Sequence, residues 1–280
     1  MKIIVLYFLL LSSLAVGAQD ETFVSLSNKA NNLIEEQKYE EALVCFEKAI
    51  EMGTDNQEML AWTSMTAGIC AQQINELSKA FQHFETAIIN KCKDEDIYER
   101  YFNLAASLED GDKQERALQV GRNYIDGGYE KYTVCLMNYY YRTKQYEKTI
   151  QIADTLINRG NRQVQFYNIK GASLQNLKKV EESIPVYKEA LKISSNNFNS
   201  LRQLGLIYYD KAANLYNNTM NSYKSISDPS GSEYKAARDN VNLSISYYKQ
   251  AASYLEQAVQ IQPTDEIVKD YLEKAKKKSR

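Results

Sequence analysis

The 280-residue sequence carries one histidine, His83, and four cysteines, Cys45, Cys70, Cys92 and Cys135. A single imidazole cannot build a multi-histidine metal site, and most acid–base schemes lose their commonest participant. His83 stands next to Phe84 in an apolar-periodic stretch, where a packing or surface histidine is expected. The cysteines fall at irregular spacings without a Cys-x-x-Cys pair, which argues against zinc and thioredoxin-like redox chemistry. They read as small apolar residues on helix faces, and pairing between any of them as disulfides is left open. Acidic groups at Glu40-Glu41, Asp94-Glu95-Asp96 and Glu181-Glu182 sit at helix starts or in loops, where the helix dipole accounts for them without catalysis. The glycines are scattered singly, so no phosphate-cradling loop is present, and neither Gly-x-Ser-x-Gly nor His-Glu-x-x-His occurs. Asn217-Asn-Thr219 and Asn242-Leu-Ser244 match the acceptor pattern for N-glycosylation, a pattern short enough to arise by chance. The expectation is a non-enzymatic protein with no catalytic residue, no metal ligand and no cofactor.

Composition points the same way. An apolar content of 44% supports a real core, and only 3 Pro and 11 Gly argue against a many-turned β sandwich. With 34 Lys plus Arg against 36 Asp plus Glu, the net charge of −2 gives no global reason to expect nucleic acid. Tyrosine is abundant, at 22 copies.

Residues 1–18 read as a secretory signal peptide. Met1-Lys2 is a short positive end, Ile3 to Leu11 is unbroken apolar, and Val16-Gly17-Ala18 supplies small residues before a cut ahead of Gln19. The competing reading is an uncleaved anchor, but the apolar run is shorter than the ~20 residues that a spanning helix needs. The mature chain is therefore expected to be exported, periplasmic or secreted, with no stable membrane span.

What remains repeats. Ala42, Phe46 and Ala49 share one helix face, and Ala80-Phe84-Ala87, Ser183-Tyr187-Ala190 and Ala251-Leu255-Ala258 repeat it. Looser copies start at Ala117 and Thr149. Each follows another amphipathic stretch with a small residue in its middle: Ala30, Gly68, Ala105, Gly171 and Gly205, with Met137 as the exception. The offset from that residue to the small residue of the second helix is the same in five units: 30 to 42, 68 to 80, 105 to 117, 137 to 149 and 171 to 183. A constant internal offset with variable spacing between units means a fixed helix–turn–helix joined by adjustable loops. Small residues are expected where two helix backbones approach closely.

At this point the chain resembles the tetratricopeptide repeat family, as an exported bacterial member. Leu201, Leu204-Gly205 and Tyr208 match the first-helix pattern, and Ala251, Ala258 and Pro263 the second. Tyr167, Gly171, Leu174, Ser183, Tyr187 and Ala190 form the cleanest uninterrupted copy. The resemblance covers residues 23 to 263. The third and fourth units depart from it, with Gly121 and Ala153 where an aromatic is expected. It implies an all-α, right-handed α-solenoid of about six helix–turn–helix units.

The last unit is longer. From Gly205 to Ala251 the chain holds extra residues around the turn signal Ser227 to Ser232. Helical periodicity on both sides predicts a long antiparallel hairpin over about 199–262, the alternative being one more inserted helix pair. Residues 264–280 form a capping helix with a basic tail, Lys274, Lys276, Lys277, Lys278 and Arg280. The domain reading is thus 1–18 signal peptide, 19–263 solenoid and 264–280 cap.

In a stack of helix pairs the first helices line the concave side, which holds peptides or partner domains. The residues placed there are Met65, Ile69, Gln72, Phe102, Asn138, Tyr141, Asn168, Gln175, Arg202 and Tyr209. Amides can bond an extended backbone, and aromatics make low-entropy anchors. Members of the family that clamp a chaperone tail use Lys and Asn on the first two units. Here those places carry Ser27, Asn31, Met65 and Ile69, so that subtype is not expected. The functional expectation is a scaffold for a protein or peptide partner. Two alternatives are a structural or self-assembling role through the long hairpin, with a homo-oligomer, and glycan binding on tyrosine platforms.

Overall fold

The computed structural model describes residues 22–94 and 96–280, so the expected leader at 1–18 lies outside the described residues. The described chain is helical, without a strand. Five short pairs come first: α1 (Phe23–Glu35) with α2 (Tyr39–Met52), α3 (Gln57–Gln73) with α4 (Leu77–Ile89), α5 (Asp96–Ser107) with α6 (Gly111–Tyr124), α7 (Gly128–Arg142) with α8 (Tyr146–Asn158), and α9 (Val164–Asn176) with α10 (Val180–Ile193). A long pair, α11 (Phe198–Lys224) and α12 (Gly231–Ile261), precedes the final helix α13 (Glu266–Lys278).

The turn inside each short pair explains the constant offset. Two residues beyond the first helix the backbone enters the left-handed region, at Gln37 (φ 60°), Asn75 (64°), Glu109 (50°), Lys144 (61°) and Lys178 (63°). The next residue then donates its N–H back across the helix end: Lys38 to the Leu33 carbonyl, Glu76 to Ala71, Gln145 to Tyr140 and Lys179 to Leu174, at 2.8–2.9 Å. Such an ending satisfies carbonyls left over by the helix and starts the second helix at once. Residues with a Cβ lose about 1–2 kcal/mol in this conformation, so five of them adopt it because pair packing outweighs that cost. Side chains cap α1, α3, α11 and α13, at Thr22, Asn56, Asn197 and Asp265, and Asp110 caps α6 within its pair.

The chain divides into two compact units, the first ending at Tyr132 and the second beginning at Thr133. In the first, a continuous core runs from Ala30 to Val120. A Cβ added to Gly68 would lie 2.6 Å from the Phe84 ring. In the second unit a Cβ on Gly171 would lie 2.6 Å from the Tyr187 ring, and one on Gly205 2.5 Å from Leu255. The small residue is thus required by a side chain of its own second helix, a large residue seated on bare helix backbone. Backbone-to-backbone approach, the reason expected from sequence, is not what the space holds.

The two departing units follow the same volume rule by other means. Met137 and Ala153, both fully buried in one cluster with Leu156 and Phe166, exchange large and small between the helices. Ala105 and Gly121 are both small, and the gap is filled from the side. A Cβ on Gly121 would meet Phe102 at 2.8 Å and Tyr132 at 2.9 Å, and those two rings stack at 4.9 Å.

Second helices of the first unit are also tied to each other by charge. Glu47 on α2 lies 3.0 Å from Lys79 and 3.3 Å from His83 on α4. Glu85, at the equivalent place one repeat on, pairs with Arg116 on α6 and accepts the buried Tyr101 hydroxyl at 3.2 Å. His83 is therefore a partly buried packing residue. Burial, the largest influence, holds its imidazole below the ordinary 6.5, with Glu47 pulling it back up and Lys79 adding to the lowering. A lowered folded pKa means that the unfolded chain takes the proton first, so the stability from neutral His83 is present above about 6.5 and lost as pH falls through the folded value. The His83→Gln variant is expected to lose less melting temperature than the parent on acidification through that range, and paired thermal scans read the difference.

In the second unit, α11 and α12 run for 27 and 31 residues without interruption, where the sequence left an inserted extra pair as the alternative. Ring contacts Tyr223–Tyr234, Tyr208–Tyr247 and Tyr209–Tyr248 fix their antiparallel register, and the Ser230–Glu233 capping box starts α12. α13 closes this stack with Val268 and Ala275 fully buried.

Candidate partner-binding faces

The first helices place the ten sequence-derived residues in distinct surroundings. In the first unit Met65 is 2% exposed, and its sulfur accepts from the Cys92 thiol at 3.8 Å. It belongs to the core, because α3 is packed on both sides and has little free face. Ile69 packs half-buried against the same core. Gln72 is half-buried, its carbonyl oxygen 3.5 Å from the Arg100 guanidinium. Phe102 fills the space over Gly121 and is half-buried.

In the second unit Asn138 is exposed on α7, one turn from Tyr141. Tyr141 meets Tyr146 edge-on at 5.9 Å. It also lies close enough to the buried Tyr187 phenol to add to the upward push that burial gives that group. The Tyr187 hydroxyl donates to Gln175 at 2.7 Å. Tyr141 and Gln175 are thus linked through the Tyr187 side chain of α10, and Asn138 stands one turn from Tyr141 on α7. Asn168 is engaged otherwise. Its amide donates to Asn197 at 3.0 Å and accepts from Ser200 at 2.7 Å, which ties α9 to the N-terminal cap of α11. Arg202 reaches Asp265, the cap of α13, at 3.5 Å. Tyr209 lies between Tyr248 (5.3 Å) and Tyr271 (4.8 Å), with the Lys278 ammonium 5.9 Å from its ring. Those three hold repeats together at the C-terminal end.

Sequence reasoning did not connect Tyr141 with Tyr146 and Tyr187. Tyr146 begins a second helix, and Tyr187 read only as a core aromatic. The signal available was the shared repeat offset, which places a Tyr187 hydroxyl at the first-helix surface once its ring covers Gly171.

The chemistry of the remaining groups is quiet. All four cysteines are free thiols; Cys45, Cys70 and Cys92 are buried and Cys135 half-buried. Burial pushes the Cys70 thiol up to about 12, so it stays protonated and unreactive. Among the described residues no three His, Cys, Asp or Glu side chains are placed to hold a metal ion, and no helix is long and apolar enough to cross a membrane.

Residues 21–88 and 164–197 match family models for the tetratricopeptide repeat. No curated protein matches the chain. Among solved structures, a protein of Bacteroides ovatus is 15% identical, with 78% of this chain and 97% of that one covered at a TM-score of 0.47. A TPR repeats protein of Bacteroides fragilis is 18% identical over 92% of this chain and 99% of its own, at 0.37. YrrB, a TPR protein with an unusual peptide-binding site, is 16% identical over 90% of this chain and 91% of its own, at 0.28.

Proposed function

The chain belongs to the tetratricopeptide repeat family, and on that premise we propose that it is a non-enzymatic, exported scaffold that holds a protein or peptide partner on the free face of its first helices. The observation that carries this reading is Tyr141, which stands one helical turn from the exposed amide of Asn138 and acts on the Tyr187 phenol that is bonded to Gln175 on α9. An amide can accept and donate to an extended backbone, while a tyrosine held by neighbours is already ordered before a partner arrives. Asn168, Arg202 and Tyr209 hold the helices of the second unit in register, and Met65 belongs to the core of the first.

Photoreactive side chains at Gln175 in the expressing cell test this reading. One dominant partner is expected. Its capture should fall roughly tenfold or more in the Asn138→Ala/Tyr141→Ala variant, because a few central anchors carry most of an interface's energy. Both positions are on the surface, and an unchanged helical spectrum would separate lost binding from lost fold. Capture that ignores the double substitution would move the partner off this face.

A further inference from the structure

Resting on the scaffold reading of the α7–α9 face, we propose that the segment held there is acidic: an extended stretch of a partner protein whose Asp or Glu side chains meet Arg142, Lys144, Lys178 and Lys179. All four residues are exposed, and among the described residues none of their side chains pairs with a carboxylate. Arg142 closes α7 one helical turn beyond Asn138, and Lys144 follows Tyr141 by three residues. Lys178 and Lys179 follow Gln175 by three and four. Each site residue thus leads to a free cation at the end of its own helix.

The two helices are neighbours. Val134 and Met137 of α7 pack in one cluster with Phe166 and Ile169 of α9, and α8 reverses the chain between them. Lys144 and Lys178 hold the same place in their turns, each in the left-handed region, at φ 61° and 63°. Packed helices stand about 8–10 Å apart, a distance that about three residues of extended chain cover at ~3.3 Å each. Carboxylates spaced by about three residues therefore reach both turns. The amides of Asn138 and Gln175 suit a peptide backbone between them, which neither a polynucleotide nor a lipid surface offers.

Cations at a helix C-terminus are ordinarily explained by the helix dipole. The other turns of this kind argue against that reading here. Around the same left-handed position the first pair carries Glu35, Glu36 and Lys38, the second Glu76, and the third Glu109 with Asp110. A dipole would favour cations at all five helix ends, whereas the charge is negative at three and positive at two. The surroundings follow the turns. Residues 142–179 hold eight basic and two acidic residues, and Asp154, one of the two, is bonded to Lys170. Glu181, at the start of α10, is bonded to Lys211. Glu147 and Glu182 are then the carboxylates close in sequence to the four cations. The second unit as a whole has 22 basic against 14 acidic residues, while residues 22–132 have 11 against 20. An acidic segment is drawn to the one and repelled by the other.

Fluorescence anisotropy on the full chain tests the charge, with a labelled peptide of about four Glu-Ser-Asn triplets as the probe. The same peptide with Gln for Glu should bind at least about tenfold more weakly, and added salt should weaken the acidic one. Arg142→Gln, Lys144→Gln, Lys178→Gln and Lys179→Gln together should lower its affinity at least about tenfold. Gln37 already holds the Lys144 place in the first pair, so that turn accepts glutamine. Lys224→Gln, Lys235→Gln, Arg238→Gln and Lys249→Gln remove the same charge from exposed positions of α11 and α12 and should leave the affinity within about twofold. No binding of the acidic peptide, equal binding of the two peptides, indifference to the turn variant, or tighter binding of a single-stranded oligonucleotide of the same charge would each overturn the proposal. Photo-capture at Gln175 in the cell separates it from the scaffold reading. Capture lost in Asn138→Ala/Tyr141→Ala but kept in the turn variant would sink the acidic segment alone, and capture kept in both would sink the binding face with it.

Discussion

Gly171→Met is expected to cost about 2 kcal/mol of stability, and adding Tyr187→Ala should relieve rather than double the damage. A Cβ at Gly171 would sit 2.6 Å from the Tyr187 Cζ atom and 2.7 Å from Cε1, inside van der Waals contact with a rigid ring. Tyr187 is 1% exposed and tethered through its hydroxyl to Gln175, so it cannot swing aside. Overpacking of this kind costs about 1–3 kcal/mol, and this geometry belongs at the upper end. Replacing a mid-helix glycine returns about 0.5–1 kcal/mol, hence the net figure. At about 2–4 °C per kcal/mol for a chain of this size, the melting temperature falls by roughly 4–8 °C.

The companion substitution follows the example of the fourth repeat. There Met137 and Ala153 stand where Gly171 and Tyr187 stand in the fifth, and both are fully buried. Tyr187→Ala alone removes a buried ring and leaves a cavity, at about 3–5 kcal/mol. A methionine from the first helix fills much of that cavity, so the double variant should be more stable than Tyr187→Ala alone, with a coupling of about 2–3 kcal/mol. Recovery stays incomplete, because the hydroxyl bond to Gln175 is lost. Chemical denaturation of the four proteins closes the cycle. Strict additivity would show that the exchange of volumes is not what joins the helices of a pair.

Phe102→Ala carries the second large effect, about 2–3 kcal/mol and roughly 4–12 °C in melting temperature. The position was read from sequence as part of the partner-binding face. The structure gives the side chain an internal duty: its ring stacks on Tyr132 at 4.9 Å, tilts against Tyr101 at 5.7 Å, and fills the space that Gly121 leaves empty. Full burial of Phe costs about 3–5 kcal/mol on truncation, and half-burial scales that down. Phe102→Leu should restore part of the loss, since any bulky apolar group covers Gly121. A truncation that leaves unfolding untouched while abolishing partner capture would return Phe102 to the binding face.

Much of the local architecture was legible because it rests on periodicity. The apolar spacing around Phe46, Phe84 and Tyr187, with a small residue at Ala30, Gly68 and Gly171, specifies paired helices whatever else the chain does. The long uninterrupted pattern on both sides of Ser227–Ser232 likewise told of a hairpin of extended helices. Even the two departing units kept a sequence trace, in Met137 opposite Ala153 and Ala105 opposite Gly121.

Tertiary structure decided what no local signal carries. The left-handed turn residues Gln37, Glu109, Lys144 and Lys178 are types that avoid that conformation in isolation, and only the packing of a helix pair makes it worthwhile. Exposure on a helix face was equally undecided. Met65 and Phe102 stand three residues before the mid-helix position and Asn138 one residue after it, on the same helix face, yet the first is core, the second fills a gap and the third is exposed. An offset fixes the direction of a side chain around its own helix axis, whereas burial depends on how closely the next helix approaches. That distance is set by the summed volumes of residues far apart in the chain, and it exists only once the helices are stacked.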